Sequence, residues 1–369
     1  MSSLKNQYLL VEPVSKTPYP PLGLLKIASM LRATDPSAKI FEGIGSTPPV
    51  GLSNPREIYI TSLFTWDISS VVKCINYYQH QFPDSVINVG GIAASLMPEY
   101  ILEKTGIRPH VGLLAEAEDH SPDYSLTFGR KRTSSITFTS RGCIRRCQFC
   151  TVSTLEPDFI LKRNWENDVD PDIPLITFWD NNWLASPNFS NDIVKLQALG
   201  KKIDFNQGLD ARLLNPDNAS RLALLNIDPI RFAFDDIKDE KAIVRSINLA
   251  KRVFKREIAV YVLYNFKDSP DEFYYKIKLL NDLGVLSFPM CYRAPTDSIK
   301  ITPSGNWNKY LLRAIKLTLM FYYRKGMITT SPESFRSIYG SSAEEFVAKM
   351  YAVYEYDKKV KVKRKDEGE

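Results

Sequence analysis

The feature that most constrains this chain is an alternation of short apolar runs and amphipathic stretches, carried through most of its 369 residues. In the first part the runs are Tyr8-Leu9-Leu10-Val11, Lys39-Ile40-Phe41, Glu57-Ile58-Tyr59-Ile60 and Val86-Ile87-Asn88-Val89, with helical patterns at Leu22 to Leu31 and Val71 to Tyr78. Further on they are Ser135 to Phe138, Pro174 to Trp179, Lys202 to Phe205, Ile230 to Phe234, Ile258 to Leu263 and Val285 to Phe288. Helical stretches separate these, among them Ile193 to Leu199, Lys241 to Phe254 and Asp271 to Leu283. Strands interleaved with helices are joined by crossovers, and crossovers make parallel sheets. At this length, with 44% hydrophobic residues, the chain can bury more than one core. The pattern divides it into residues 1–125, 133–296 and 297–369, the last helical from about Lys309. A linker with Ser121-Pro122-Asp123 and the basic Gly129-Arg130-Lys131-Arg132 separates the first two.

Three of the five cysteines fall within eight residues, Cys143-Ile144-Arg145-Arg146-Cys147-Gln148-Phe149-Cys150, directly after a strand signal. Fe–S clusters are usually held by four Cys thiolates, so a compact set of three suggests a four-iron cluster with one iron open to another ligand. A structural zinc wants four closed ligands, yet Cys74 and Cys291 are distant and no His lies near the triplet. Disulfides need an oxidising compartment. An odd number of cysteines and no secretory signal at the start point instead to a reduced, cytoplasmic setting. No run approaches the ~18 to 20 apolar residues of a membrane-spanning helix, so no membrane partner is expected.

The spacing CxxxCxxC, with the aromatic Phe149 before the last cysteine, resembles the radical S-adenosylmethionine (SAM) superfamily. The resemblance implies an α/β fold: an N-terminal doubly wound, Rossmann-like domain, then a (β/α)6 partial TIM barrel, with a helical C-terminal extension. It implies a [4Fe-4S] cluster on Cys143, Cys147 and Cys150 whose open iron chelates the methionine part of SAM. The reduced cluster splits the sulfonium to give a 5'-deoxyadenosyl radical, with an electron donor such as flavodoxin or ferredoxin as partner. Phe149 takes the family's aromatic position, whose backbone lies near the SAM adenine. The first 125 residues are similar to the cobalamin-binding-type domain that precedes many such cores, through Tyr19-Pro20-Pro21-Leu22-Gly23-Leu24, Gly90-Gly91 and Ala115-Glu116-Ala117-Glu118. The Asp-x-His-x-x-Gly ligand pattern is missing, since His80, His110 and His120 lie in other settings. The expectation is a surviving scaffold without cobalamin, in which Gly90-Gly91 makes either a tight turn or a ligand loop.

In parallel barrels the reactive groups gather at the C-terminal strand ends. The second core strand ends in Asp180-Asn181-Asn182, which resembles a family segment that offers acceptors to the methionine ammonium; a plain turn is the alternative. The third leads into Asn206-Gln207-Gly208-Leu209-Asp210-Ala211-Arg212, where the family recognises the SAM ribose and carboxylate. Gln207, Asp210 and Arg212 are the candidates there: Arg212 either pairs with a carboxylate through its fork of donors or is held by Asp210. Asp235 and Asn265 occupy the next two strand ends as further SAM contacts. Cys291, near the sixth, is a substrate contact or a small buried apolar residue. Arg141, Arg145 and Arg146 surround the cysteines with positive charge that favours an anionic cluster and a donor protein.

The function expected is a radical SAM enzyme acting on a small molecule. One alternative is radical modification or methylation of nucleic acid or a nucleobase-derived compound, suggested by the basic linker and by the segment Lys358 to Lys365, which carries much of the net charge of +6. That segment reads as a solvated, disordered tail or as a contact surface. Another is a non-enzymatic, metal-stabilised binding protein. The ligand count itself is testable. Cys143→Ala, Cys147→Ala or Cys150→Ala should each abolish the reconstituted four-iron cluster, whereas Cys74→Ala and Cys291→Ala should retain it, as iron and sulfide analysis of the five variants will show.

Overall fold

The structure, a computed structural model, describes residues 5–13, 17–295, 301–322 and 326–366. Residues 1–4 and 14–16 of the expected N-terminal domain, and 296–300, 323–325 and 367–369 toward the C-terminus, lie outside the described residues. The chain is α/β with largely parallel strand pairing. It divides into two compact units, one running to Ile176 and one from Thr177 to Ala294 and again from Ile301.

The first unit opens with β1 (Lys5–Glu12), α1 (Leu22–Thr34), β2 (Lys39–Ile44), β3 (Pro55–Thr61), α2 (Ile68–Gln81), β4 (Val86–Gly90), α3 (Ile92–Leu96), α4 (Pro98–Thr105) and α5 (Ala115–Glu118). Its four strands are parallel in the order β2-β1-β3-β4. The unbroken apolar run of β1 is what a strand covered on both faces requires. With a two-residue period, Leu9 and Val11 meet Val71, Ile75 and Tyr78 of α2, while Tyr8 and Leu10 meet Leu24, Leu25 and Ala28 of α1. Leu9, Leu10 and Val11 are fully buried, each stabilising the sheet by about 1.5–3 kcal/mol. After β4 the chain turns at Gly91, whose φ is 101° and where a Cβ would run into the Ser62 carbonyl. The Ser62 hydroxyl donates to Gly90 O and accepts from Ala94 N–H, both at 2.8 Å. Gly90-Gly91 is therefore a tight turn packed against the end of β3.

The unit continues with β5 (Ser135–Thr137), β6 (Ser140–Arg141), α6 (Val152–Leu155) and β7 (Ile160–Leu161). The sequence predicts one strand running straight into the cysteines. Instead β5 stops at Thr137, and β6 pairs antiparallel with β7, closing the cysteine segment at its neck. Lys162 N–H also donates to Thr139 O at 2.9 Å. This pairing is non-local, which is why hydrophobic periodicity does not reveal it.

The division falls within β8 (Leu175–Phe178). The second unit then carries α7 (Phe189–Leu199), β9 (Lys202–Phe205), α8 (Pro216–Leu222), β10 (Asn226–Ile227), β11 (Ile230–Ala233), α9 (Glu240–Val253), β12 (Ile258–Tyr264), α10 (Pro270–Asp282) and β13 (Leu286–Cys291). Strands β8, β9 and β10 are successive neighbours in one sheet, and β11, β12 and β13 form a parallel second one. A parallel bridge from Leu209 to Phe232 links the loop after β9 to β11. All six strands expected between residues 133 and 296 are present, as β5, β8, β9, β11, β12 and β13. The two-residue β10 was too short to carry a period. Helix α10 starts where its sequence dictates, with Ser269 and Glu272 forming a capping box and Pro270 at the first helical position.

Three helices follow, α11 (Lys309–Tyr322), α12 (Pro332–Tyr339) and α13 (Ala343–Asp366). An aromatic layer holds α12 and α13 to α10: Tyr274 stands 6.1 Å from Phe335 and 5.5 Å from Phe346, and Phe273 stands 6.0 Å from Phe346 and 5.9 Å from Trp307, just before α11. The basic segment Lys358 to Lys365, expected as a disordered tail, continues α13 instead. No Gly or Pro interrupts Ala343–Asp366, Lys and Arg are good helix formers, and cations favour a helix C-terminus. Among the described residues no helix is long and apolar enough to cross a membrane. The β4–α3 turn can be tested directly. Gly91→Ala should cost about 1–3 kcal/mol through a positive φ plus the clash with Ser62, read as a lower urea midpoint with an unchanged slope.

Candidate functional site

The cysteine loop is built from its neck upward. Gly142 has a φ of 75°, and a Cβ there would fall on the Asp158 carbonyl oxygen, so only glycine brings the two ends of the loop this close. The Glu156 carboxylate clasps the neck: one oxygen accepts Gly142 N–H at 2.6 Å and the other pairs with Arg141 Nη2 at 2.8 Å. The Arg141 guanidinium lies 4.0 Å from the Phe138 ring centroid, and its Nε stands 3.8 Å from Glu118 Oε2. Arg141 was expected to lend positive charge to the cysteines; two carboxylates engage it instead. Arg145 is half-buried and Arg146 exposed.

Within the loop, Arg145 N–H donates to Cys143 Sγ at 3.3 Å, and Cys150 N–H closes a turn onto Cys147 O at 3.0 Å. Cys143, Cys147 and Cys150 are half-buried, as is Phe149. None of the five cysteines, all among the described residues, is disulfide-bonded. Burial pushes the Cys74 thiol up, partly offset by the Ser46 hydroxyl 3.8 Å away. It pushes Cys291 up to about 11, against the pull of Tyr264 and Arg293. Thiols held protonated make poor ligands. Among the described residues, no three His, Cys, Asp or Glu side chains have the mutual placement of a metal site.

The second unit gathers part of the expected polar set. Asp180 and Asn182, just past β8, are each 3% exposed. Asn182 Nδ2 donates to Asp210 Oδ2 at 3.0 Å. Asp210 in turn receives Arg212 Nε at 2.8 Å, Nη2 at 3.2 Å and the Arg212 N–H at 3.1 Å, and Arg212 reaches Asp239 at 3.3 Å. Of the two expectations for Arg212, being held by Asp210 is the one observed. Burial pushes the Asp210 carboxyl up, but the hydrogen bond and charge of Arg212, its N–H and the Asn182 amide outweigh it and leave the carboxyl below its ordinary range. Two buried polar atoms beside this chain have no hydrogen-bond partner among the described residues: Asn182 Oδ1 and Trp183 Nε1.

Of the remaining candidates, Asp235 lies near enough for the charges of Arg212 and Asp239 to act on it. Asn181 is half-buried and Gln207 is exposed in the turn after β9. Asn265 is fully buried with a φ of 66°. Its amide donates to Tyr292 O at 3.1 Å and Thr302 O at 3.0 Å and accepts Ser304 N–H at 2.9 Å. Every polar atom of that amide is thus engaged by backbone, which assigns Asn265 to clasping the chain in place of the expected SAM contact. Asp235 is half-buried, and burial pushes its carboxyl up to about 6 despite Lys276. Sequence reasoning missed Lys276, which is 1% exposed and donates to Leu263 O at 2.6 Å and to Asp235 O and Asp268 Oδ2 at 3.3 Å. Its signal was a lysine within the apolar stretch Phe273-Tyr274-Tyr275-Lys276-Ile277. It also missed Glu118 and Lys26, which are distant from the loop in sequence, and Glu156, which lies inside the loop but meets its neck only once the loop folds back.

No protein-family model matches the chain, and a search of curated proteins finds no match. The electrostatics still yield a measurable consequence. Because Asp235 titrates near 6 when folded and near 3.8 otherwise, its ionisation opposes folding increasingly from pH 4 to 6 and by a constant amount above. Asp235→Asn should therefore gain stability relative to the unmodified chain on going from pH 4 to pH 7, by about 1–2 kcal/mol once partial exposure is allowed for. Urea unfolding at the two pH values measures it, and a pH-independent difference would mean a carboxylate that water solvates.

Proposed function

We propose that this chain is a radical SAM enzyme, with a Rossmann-like N-terminal domain and a partial barrel of six βα units. One observation carries the reading: three thiols on a loop that follows the first of six expected strands, with a backbone N–H aimed at the first sulfur. The donor set suits a four-iron cluster, because Cys143, Cys147 and Cys150 would hold three irons, and amide hydrogen bonds to sulfur stabilise thiolates and tune such clusters. Ordering of the ligands is coupled to metal uptake. When bound, the cluster would supply one electron to the sulfonium of SAM.

The chain's own part is orientation. Arg212 holds Asp210 ionised, Asp210 accepts from Asn182 Nδ2, and that fixes Asn182 with its carbonyl oxygen unpaired in a buried place. A buried acceptor without a partner is costly, and the methionine ammonium is a donor that would satisfy it. The substrate we assign is a small molecule, the electron donor a flavodoxin- or ferredoxin-type protein, and cobalamin plays no part. The exposed Lys358, Lys359 and Tyr356 on α13 support a nucleic-acid substrate as the second reading, which steep salt dependence of binding would reveal.

Anaerobic reconstitution with iron, sulfide and reductant should give a chain that turns SAM into 5'-deoxyadenosine. Asn182→Ala should retain the iron and weaken SAM binding by roughly tenfold or more, the effect of one hydrogen bond to a charged group. A loaded protein with no SAM cleavage, or an unchanged affinity in that variant, would sink the respective assignment.

A further inference from the structure

The first unit contains a chain of alternating charges that the catalytic reading leaves unused. Lys26 lies on the apolar side of α1 and is 2% exposed. Its ammonium donates to Glu118 O at 3.0 Å and reaches Glu118 Oε2 at 3.4 Å. That same carboxylate oxygen is 3.8 Å from Arg141 Nε, an ion pair too long to be a hydrogen bond, and Arg141 Nη2 is 2.8 Å from Glu156. The side chains of Arg141 and Glu156 are only 15% and 14% exposed. Glu156 then reaches the backbone of Gly142, one residue before Cys143. A second pair, Lys162 with Asp168, is anchored to β5 through Thr137 Oγ1, 2.9 Å from Asp168.

A lysine buried in an apolar helix face is destabilising unless its charge is met, and burial does push the Lys26 ammonium down while Glu118 pulls it back. Its place therefore calls for a purpose beyond packing. We infer that the N-terminal sheet domain braces the cysteine loop, with Lys26, Glu118, Arg141 and Glu156 as positioning residues that set the direction in which the backbone enters Cys143. Each link is fixed at one end by rigid structure, Lys26 by α1, Glu118 by the end of α5 and Arg141 by β6. Glu156 is the one member inside the loop, and it grips both the side chain and the main chain of the neck. The domain thereby has work to do whether or not it holds a ligand. That the loop holds a cluster rests on the function proposed above; the brace itself does not.

The test separates the two. In the metal-free protein, alkylation of Cys143, Cys147 and Cys150 by iodoacetamide, followed by mass spectrometry, reports how often the loop opens, with the buried Cys74 as the internal control for the sheet domain. Glu156→Ala should accelerate alkylation of the triplet by roughly tenfold, the response to losing a charge-assisted hydrogen bond, and Glu118→Ala, which takes from the loop only the 3.8 Å ion pair to Arg141, by a smaller factor, both leaving Cys74 unchanged. Glu156→Gln retains an acceptor for Gly142 N–H and should fall between. After reconstitution, the same variants should show a broadened electron paramagnetic resonance signal of the reduced cluster and a smaller shift on adding SAM. Unchanged triplet rates in both alanine variants would overturn the brace, as would equal acceleration of Cys74 in the alanine and glutamine variants. If the unmodified protein takes up no four-iron cluster, the radical SAM reading fails, and the alkylation rates still decide the brace.

Discussion

Parallel strand pairing is the constraint on which the rest depends. Two parallel neighbours cannot be joined by a hairpin, so crossovers, most of them carrying a helix, join the strands and all C-terminal strand ends emerge on one edge. In the first sheet this places the β3 and β4 ends together, where Ser62 and Gly91 fill the space between them. In the second unit it brings Asn182, which follows β8, beside Asp210, which follows β9, although 28 residues separate them. The shared edge assembles the polar group without any local sequence motif.

Burying charge is the second organising problem, and the chain solves it in the same way at both ends. Lys26 and Lys276 each sit on the apolar side of a helix, almost without exposure; Lys26 reaches one backbone carbonyl and a carboxylate, and Lys276 two carbonyls and a carboxylate. A buried ammonium with three donors can satisfy several acceptors at once, so each lysine ties a helix to a loop end. Arg141 follows the same logic with its fork of donors, between Glu156 and Glu118 and against the Phe138 ring.

How much of this was legible varied with the kind of interaction. Strands such as β1 and β12 stood out as apolar runs because burial on both faces demands them, and α10 announced its start through Ser269, Pro270 and Glu272. The β6–β7 ribbon did not, because two-residue strands carry no period and their pairing spans about twenty residues. The helical course of Lys358 to Lys365 was missed since charge density suggested disorder, while the absence of Gly and Pro and the continuity with Ala343 favoured helix. Among the candidate site residues, Asn182, Asp210 and Arg212 converge, Gln207 lies exposed, and Asn265 has its amide engaged by backbone.

By itself the sequence determined the alternation of strands and helices, the parallel pairing that follows from it, and the presence of three closely spaced thiols set apart from two solitary ones. Those properties are local: they depend on periodicity, spacing and side-chain type. The tertiary structure alone decided which charges meet. Whether Arg141 faces the thiols or two carboxylates, whether Asn265 offers its amide outward or spends it on Tyr292, Thr302 and Ser304, and which buried acceptor is left open at Asn182 all turn on groups distant in sequence. A hydrogen bond or ion pair is set by separations of a few ångströms in space, and no pattern along the chain encodes those separations.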